Sequence, residues 1–450
     1  MRILDWNSLD ESGRRVALSR PRLKSRADVN QLVLQVIEEV RREGDAALRL
    51  LTQRFDHVAI ETFAVTEAEF REARQTLTRE QITALERAID NVERFHAAHA
   101  PGASALEVEP GVLCEQLICP ISAVGLYVPA GTAPLPSAVI MLAVPARIAG
   151  CPRRILCSPA GRDGRADPAV LVAAQLCGID TVFKLGGSQA IAAMAYGTET
   201  IPKVDKIFGP GNIWVMAAKQ LVASDPFGAA CDLPAGPSEV LVVADETARA
   251  EFVAADLLAQ AEHDALAQAI LVTESPELAE RVVAEIPLQR AGLSREGILM
   301  HSLHACRCIL VPNLRTALTV VNTYAPEHLI LEVAEPRRWL SEVRNAGSVF
   351  LGHWSPETLG DYCSGTNHVL PTDGHARTFS GLSVRDFVKA ISVQEVSPAG
   401  LRSLGPTAVV LAQLEGLDAH AHAVARRLAA LRAVSPRTGD SQGAASGAVH

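Results

Sequence analysis

Five short stretches of this 450-residue chain carry side chains whose types and spacing suit acid–base or metal chemistry. Gln260 and His263 stand three residues apart near the end of an amphipathic stretch, 247–263. Positions i and i+3 share one helical face, so an amide oxygen and an imidazole there could meet one metal ion. A Gln and a His at a helix end are more often simply solvated. In Tyr-Ala-Pro-Glu-His, Pro326 stops a helix and leaves Glu327 and His328 at the mouth of a strand. Strand mouths in parallel sheets collect ligands. An adjacent Glu and His can divide proton work, one activating water and the other shuttling a proton. A surface loop is the commoner origin of such a pair.

The segment from Gly360 to His368 packs Asp361, several hydroxyls, Asn367 and His368 into a glycine-punctuated loop. Glycine lets a backbone close tightly on a ligand, and loop capping and ligation weigh evenly here. Between Asp232 and Val240, Pro234, Gly236 and Pro237 form a rigid turn that would hold Ser238 in place, or a plain connection. Glu415 and His420 add an acid and an imidazole near the C-terminus, where they would ordinarily mean only a polar helix start. Glycines also follow three apparent strands, in Gly125-Leu-Tyr127-Val-Pro, Leu185-Gly-Gly-Ser-Gln189 and Phe208-Gly-Pro-Gly-Asn212. Such sites suit a phosphate at a helix N-terminus. None spells GxGxxG in a βαβ setting, so the usual dinucleotide fingerprint is absent.

The elements that must position these residues follow from periodicity. Val29, Leu32, Val33, Val36, Ile37 and Val40 fall at helical spacing, as do Ile82, Leu85, Ile89, Val92 and Phe95. Thr78 with Gln81 matches a capping box. From about residue 120, short apolar runs at 122–128, 153–158, 179–185 and 204–208 alternate with helical stretches. A second series of strands follows at 239–244, 268–273, 308–312, 328–333 and 347–351. Strand–helix alternation implies parallel sheets covered by helices on both faces. The expected fold is α/β, with two nucleotide-binding-like (incomplete Rossmann-like) domains, a helical N-terminal segment and a C-terminal helical arm. The expected division is 1–120, mainly helical and packed on the α/β core; 121–236; 237–384; a helical arm, 385–434; and a disordered Ser/Gly/Ala-rich tail, 435–450. No residue-level repeat links the two α/β blocks.

Composition narrows the partners. A formal charge of −9 without a long basic run argues against nucleic acid and anionic membrane. No apolar stretch of spanning length and no signal-peptide core stand out. Nine cysteines with no paired CxxC units read as reduced, buried side chains of a cytoplasmic protein.

Taken in series, the motifs resemble the histidinol dehydrogenase family over residues 25–433. They are Tyr-Val-Pro-Ala-Gly-Thr-Ala-Pro-Leu-Pro-Ser, Phe-Gly-Pro-Gly-Asn, Asp-Leu-Pro-Ala-Gly-Pro-Ser-Glu-Val, Ala-Glu-His-Asp, Ala-Pro-Glu-His-Leu and Gly-Asp-Tyr-Cys-Ser-Gly-Thr-Asn-His-Val-Leu-Pro-Thr. The resemblance implies one zinc per subunit on Gln260, His263, Asp361 and His420, the last supplied by the second subunit of a homodimer. It implies Glu327 and His328 as the acid–base pair. Ser238, His368 and Glu415, with the zinc ligands and His328, would contact L-histidinol, and Tyr127, Gln189 and Asn212 would contact NAD. The implied reaction is a two-step, four-electron oxidation through L-histidinaldehyde to L-histidine. The nearest rival is a related zinc and NAD dehydrogenase of another small polar alcohol; a zinc hydrolase would leave the three NAD positions unexplained. Ala130 departs from the family's Pro-Gly-Gly turn, and would cost about 1 kcal/mol if the position needs positive φ.

Overall fold

Apolar runs of five or six residues can be buried on both faces only inside a layered sheet, and the chain builds two such sheets with the same strand order. The computed structural model describes residues 1–21, 26–130, 133–234 and 236–434. Strands are numbered from the amino terminus. In the first sheet, β4 (Ala123–Tyr127), β5 (Arg153–Ser158), β6 (Val182–Lys184), β7 (Lys206–Phe208) and β8 (Ala230–Cys231) run in the order β6-β5-β4-β7-β8. In the second, β9 (Glu239–Ala244), β10 (Gln268–Thr273), β11 (Arg307–Leu310), β12 (His328–Glu332) and β13 (Ser348–Leu351) run β11-β10-β9-β12-β13. β1 (Arg2–Asp5) adds itself outside β11. All these pairings are parallel. The order reverses at β4/β7 and at β9/β12, the switch point of nucleotide-binding folds. The two halves share a topology that no residue repeat announces.

Side-chain alternation shows why both sheets need helices on two faces. Val240 and Val242 of β9 enter one core cluster, and Leu241 and Val243 enter another. In β4, Val124 and Leu126 face one way, and Ala123 and Tyr127 the other. Each fully buried aliphatic side chain contributes roughly 1.5–3 kcal/mol. The N-terminal helices close one face of the first sheet. Val29, Val33, Val36, Ile37 and Val40 from Arg26–Glu43 join Leu48 and Leu51 from Asp45–Asp56 in that cluster. The helix Arg79–Ala98 begins with the expected capping box of Thr78 and Gln81.

Residues 1–100 and 120–388 make one compact unit; the described part of a second comprises 101–119 and 389–434. In the second, β2 (Ser104–Glu109), β3 (Val112–Pro120) and β14 (Val388–Val396) form a sheet in the order β14-β3-β2. The helices Pro398–Leu414 and Asp418–Val434 pack on each other. Within the mainly helical stretch expected for 1–120, residues 104–120 form strands β2 and β3, and the chain expected to be helical beyond about 385 first makes β14 and turns helical at Pro398. β2 is exposed along its whole length and β14 along most of it, so neither shows the in–out alternation that marks a strand. The expected tail, 435–450, lies outside the described residues. Among the described residues no helix is long and apolar enough to cross a membrane.

Candidate active site

The reacting pair suggested by the sequence stands where two central strands begin. Glu239 opens β9 and His328 opens β12, with His328 paired opposite Val240. This is the amino edge of the sheet, not the carboxyl edge at which open α/β sheets usually bind ligands. The strand-mouth argument therefore pointed to the opposite end of the sheet from the one at which Glu327 and His328 stand. The helix Leu314–Tyr324 delivers them through Ala325, whose φ of 55° and ψ of 69° are left-handed. That conformation costs an alanine about 1 kcal/mol.

His328 is surrounded by acids. Its Nδ1 lies 3.2 Å from the Glu239 carbonyl, 3.6 Å from Glu327 Oε2 and 3.7 Å from Glu357 Oε1. Its Nε2 faces Asp361 Oδ1 at 3.4 Å, close enough for charge attraction but without hydrogen-bond alignment. An Nδ1–H given to the Glu239 carbonyl leaves Nε2 as the atom able to take a proton. Glu327 is held from the same residue, because the Glu239 amide donates to Glu327 Oε2 at 2.9 Å. Glu239, Glu327, His328 and Glu357 are all buried.

Burial sets the electrostatics. It pushes the Glu327 carboxyl up to about 8, against the attraction of His328. Glu357 is raised well above the carboxylate range, first by burial. Burial opposes charge on His328, but Glu357, Glu327 and Asp361 outweigh it and hold the imidazole well above its ordinary value. Asp361 also feels burial most, yet its contact with His328 and the nearby His368 and His263 keep it below the usual range. One imidazole thus faces several competing carboxyls.

A group of side chains that could hold a metal ion adjoins this cluster. Gln260 sits in the last turn of the helix Ala250–Ala261, fully buried, with neither amide atom hydrogen-bonded. His263 lies just beyond, its amide bonded to the Gln260 carbonyl at 3.2 Å, so the i, i+3 relation survives the helix end. That helix packs on Glu357–Tyr362, which carries Asp361. Ligand atoms of His263, Glu357 and Asp361 lie within 4.8 Å of one another, a grouping that could hold a metal ion. An orphaned, buried amide beside two carboxylates and an imidazole suits a cation better than an empty core. His368 points its Nδ1 at the Asp361 carbonyl, 2.7 Å away, and half-buried Ser238 directly precedes Glu239.

The other three predicted positions gather at the carboxyl edge of the first sheet. Tyr127 ends β4, and its hydroxyl accepts from the Gly187 amide at 3.1 Å. Gln189 lies in the first turn of the helix Gly187–Tyr196, whose N-cap, Gly186, provides no side-chain cap. Asn212 follows β7 and caps the helix Ile213–Ser224 through the Trp214 and Val215 amides. Gly209 has φ +125, and a Cβ there would fall 2.0 Å from the Tyr127 carbonyl oxygen. The buried Lys219 locks this turn, donating to the Gly209 carbonyl at 2.8 Å and to the buried Asp232 carboxylate. Asp232 in turn accepts the Gly209 amide at 2.7 Å. Ala130 is not among the described non-glycine residues at positive φ, so its expected strain is absent.

Glu415 and His420 are not brought to either cluster within the first unit; they lie in the second, both exposed, around the turn between its two helices. Glu357 escaped sequence reasoning, because Ser-Pro-Glu ahead of a short helix looks like ordinary first-turn acid placement. All nine cysteines are free, and burial raises the thiols of Cys157, Cys177, Cys306 and Cys308, which makes them poor nucleophiles.

Comparison with known proteins identifies the family of the chain. Residues 18–428 match the family described as histidinol dehydrogenase. The chain is 54% identical over 428 residues to a histidinol dehydrogenase from Xanthomonas oryzae pv. oryzae, covering 95% of this chain and 99% of that one. It is 51% identical over 435 residues to one from Vibrio vulnificus (strain YJ016), covering 97% and 100% respectively. A crystal structure of histidinol dehydrogenase from Elizabethkingia anophelis superposes with a TM-score of 0.92 at 42% identity, over 96% of this chain and 99% of the other.

Proposed function

Because the chain belongs to the histidinol dehydrogenase family, we propose that it oxidises L-histidinol through L-histidinaldehyde to L-histidine, using zinc and NAD. The reaction removes four electrons and ends histidine biosynthesis. The observation that carries this reading is the buried Glu327–His328 pair, with Asp361 3.4 Å from His328 and grouped with His263 where a metal ion could sit, and the orphaned Gln260 amide one helical turn before His263.

Zinc would be held by Gln260, His263 and Asp361, with His420 of the partner subunit as the fourth ligand. When bound, zinc would hold and orient the substrate's polar atoms, and NAD would accept a hydride in each oxidation. With its ring neutral, His328 takes the hydroxyl proton at Nε2, since Nδ1 is given to the Glu239 carbonyl. Glu327 then takes a proton from the water that adds to the aldehyde, and His328 assists the second oxidation. A carboxyl raised to about 8 is a stronger base than an exposed one and is poised close to neutral pH. Ser238, His368 and Glu415 complete the histidinol contacts. Tyr127, Gln189 and Asn212 would bind NAD, supported by the glycine-lined, uncapped helix start at Gly186.

Residues 121–236 thus serve as a cofactor domain, 237–384 as the zinc and catalytic domain, and 385–434 as a dimer-forming arm. Val410, Leu411 and Leu414 are exposed on the first helix of that arm, and Leu417 on the turn after it, as a homodimer contact would need. The free, buried thiols suit a reducing cytoplasm.

The test is stoichiometric: the zinc-loaded protein should form two NADH per histidinol, and chelation should stop it. Turnover of other amino alcohols but not histidinol would replace the substrate assignment. Mixing His328→Ala with His420→Ala protein should restore activity in hybrid dimers if the site is shared.

A further inference from the structure

Arg20, far from the reacting pair in sequence, is bonded to both backbone segments that hold it. Its Nε donates to Glu239 Oε2 at 2.7 Å. Its Nη2 donates to the carbonyls of Tyr324 at 2.9 Å and Ala325 at 3.4 Å. The guanidinium also lies 3.9 Å over the Tyr324 ring. One side chain therefore ties the start of β9 to the left-handed turn that leads into β12. Glu239 in turn offers its amide to Glu327 Oε2 and its carbonyl to His328 Nδ1.

We propose that Arg20 is a positioning residue for the Glu327–His328 pair: by clamping Glu239 to the turn at Tyr324–Ala325, it fixes the tautomer of His328 and the aim of both side chains. The proposal rests on the reading that this pair performs the oxidation. Three features make the clamp specific. Glu239 is buried, and its other oxygen takes the Asp373 amide at 2.5 Å, so Arg20 supplies the charge that balances it. A planar guanidinium can serve a carboxylate, two carbonyls and an aromatic face together, which an ammonium cannot. The Glu239 peptide is also the hydrogen-bond partner of both reacting side chains, so any shift of its carboxylate is passed to them directly. The hydrogen bond at one ring nitrogen decides which nitrogen of a histidine is free, so loosening this peptide alters the base itself.

The experiment uses the full chain with zinc, comparing wild type, Arg20→Lys, Arg20→Met and Glu239→Gln. Arg20→Met should lower kcat by about 10–100-fold per folded molecule, as expected for a small misplacement of reacting groups. KM for histidinol should change little, and Arg20→Lys should recover part of the loss. In 15N-histidine-labelled protein at a pH where the ring is neutral, wild-type His328 should show the Nδ1–H tautomer, and Arg20→Met should show mixed tautomers. If Arg20→Met does not fold, Glu239→Gln removes the charge pair while keeping the peptide, and should move kcat and the His328 signal in the same direction. Unchanged kcat, or an unchanged His328 signal, in the folded variant overturns the proposal. If wild type does not oxidise histidinol, the functional reading falls, and the nitrogen spectra still decide the role of Arg20.

Discussion

In the first sheet the polar groups gather where strands end: Tyr127 closes β4, and Gln189 and Asn212 start the helices after β6 and β7. In the second they gather where strands begin: Glu239 opens β9, His328 opens β12, and Gln260 and His263 lie where a helix returns to that edge. The strand order is the same in both. The lesson is electrostatic. Carboxyl edges face helix N-termini, whose free amides favour phosphates, whereas amino edges receive helix C-termini, whose free carbonyls favour cations. One topology can thus hold a dinucleotide at one sheet and a metal at the other.

The carboxyl edge of the second sheet shows why it is not used in the same way. Asp245, just past β9, takes the amides of Thr247 and Ala334. Glu332 ends β12, buried against Asp256, with His353 Nδ1 at 3.5 Å.

The largest expected effect separates the two edges. His328→Ala should lower kcat by about 100–10,000-fold while leaving NADH affinity, read by fluorescence titration, unchanged. An equal loss of cofactor binding would show that the edges are one site. Next, Lys219→Met strands the buried Asp232 carboxylate beneath the turn at Gly209. Denaturant titration should register a loss of about 3–5 kcal/mol, with weaker NADH binding and full zinc content. Zinc loss in the same variant would break the comparison.

A subtler effect concerns the acids on the unused edge. Burial first, then repulsion from Asp256, raises Glu332 to about 8, and burial raises Asp256 to about 6. The folded state therefore binds protons more tightly than the unfolded chain. The resulting stability is fully present below the unfolded-chain values near pH 4 and is lost as pH rises to about 6 for Asp256 and about 8 for Glu332, with a slope of up to about 1.4 kcal/mol per pH unit for each proton. Melting curves of Glu332→Gln between these limits should be flatter than wild type; an identical pH profile would rule the pair out. The smallest effect is expected from Ala325→Gly, which should raise stability by at most about 1 kcal/mol in thermal melts, since glycine removes the left-handed strain ahead of the pair. A loss of stability would mean that the methyl packing outweighs the strain.

Most of the α/β core was legible in sequence, because strands buried on both faces must be apolar runs and the helices between them must be periodic. β10 falls where the pattern put it. The exposed strands β2 and β14 were not legible, since the single chain buries neither face to impose alternation. Of the site, the residue types and their local pairings could be read: Glu327 beside His328, and Gln260 three before His263. Sequence alone could not say that these meet at an amino edge, because strand order and the direction of each connection are properties of the whole sheet. Nor could it single out Glu357 or Arg20, whose neighbours in the chain are unremarkable. Their roles exist only where residues distant in the chain are packed around one buried imidazole.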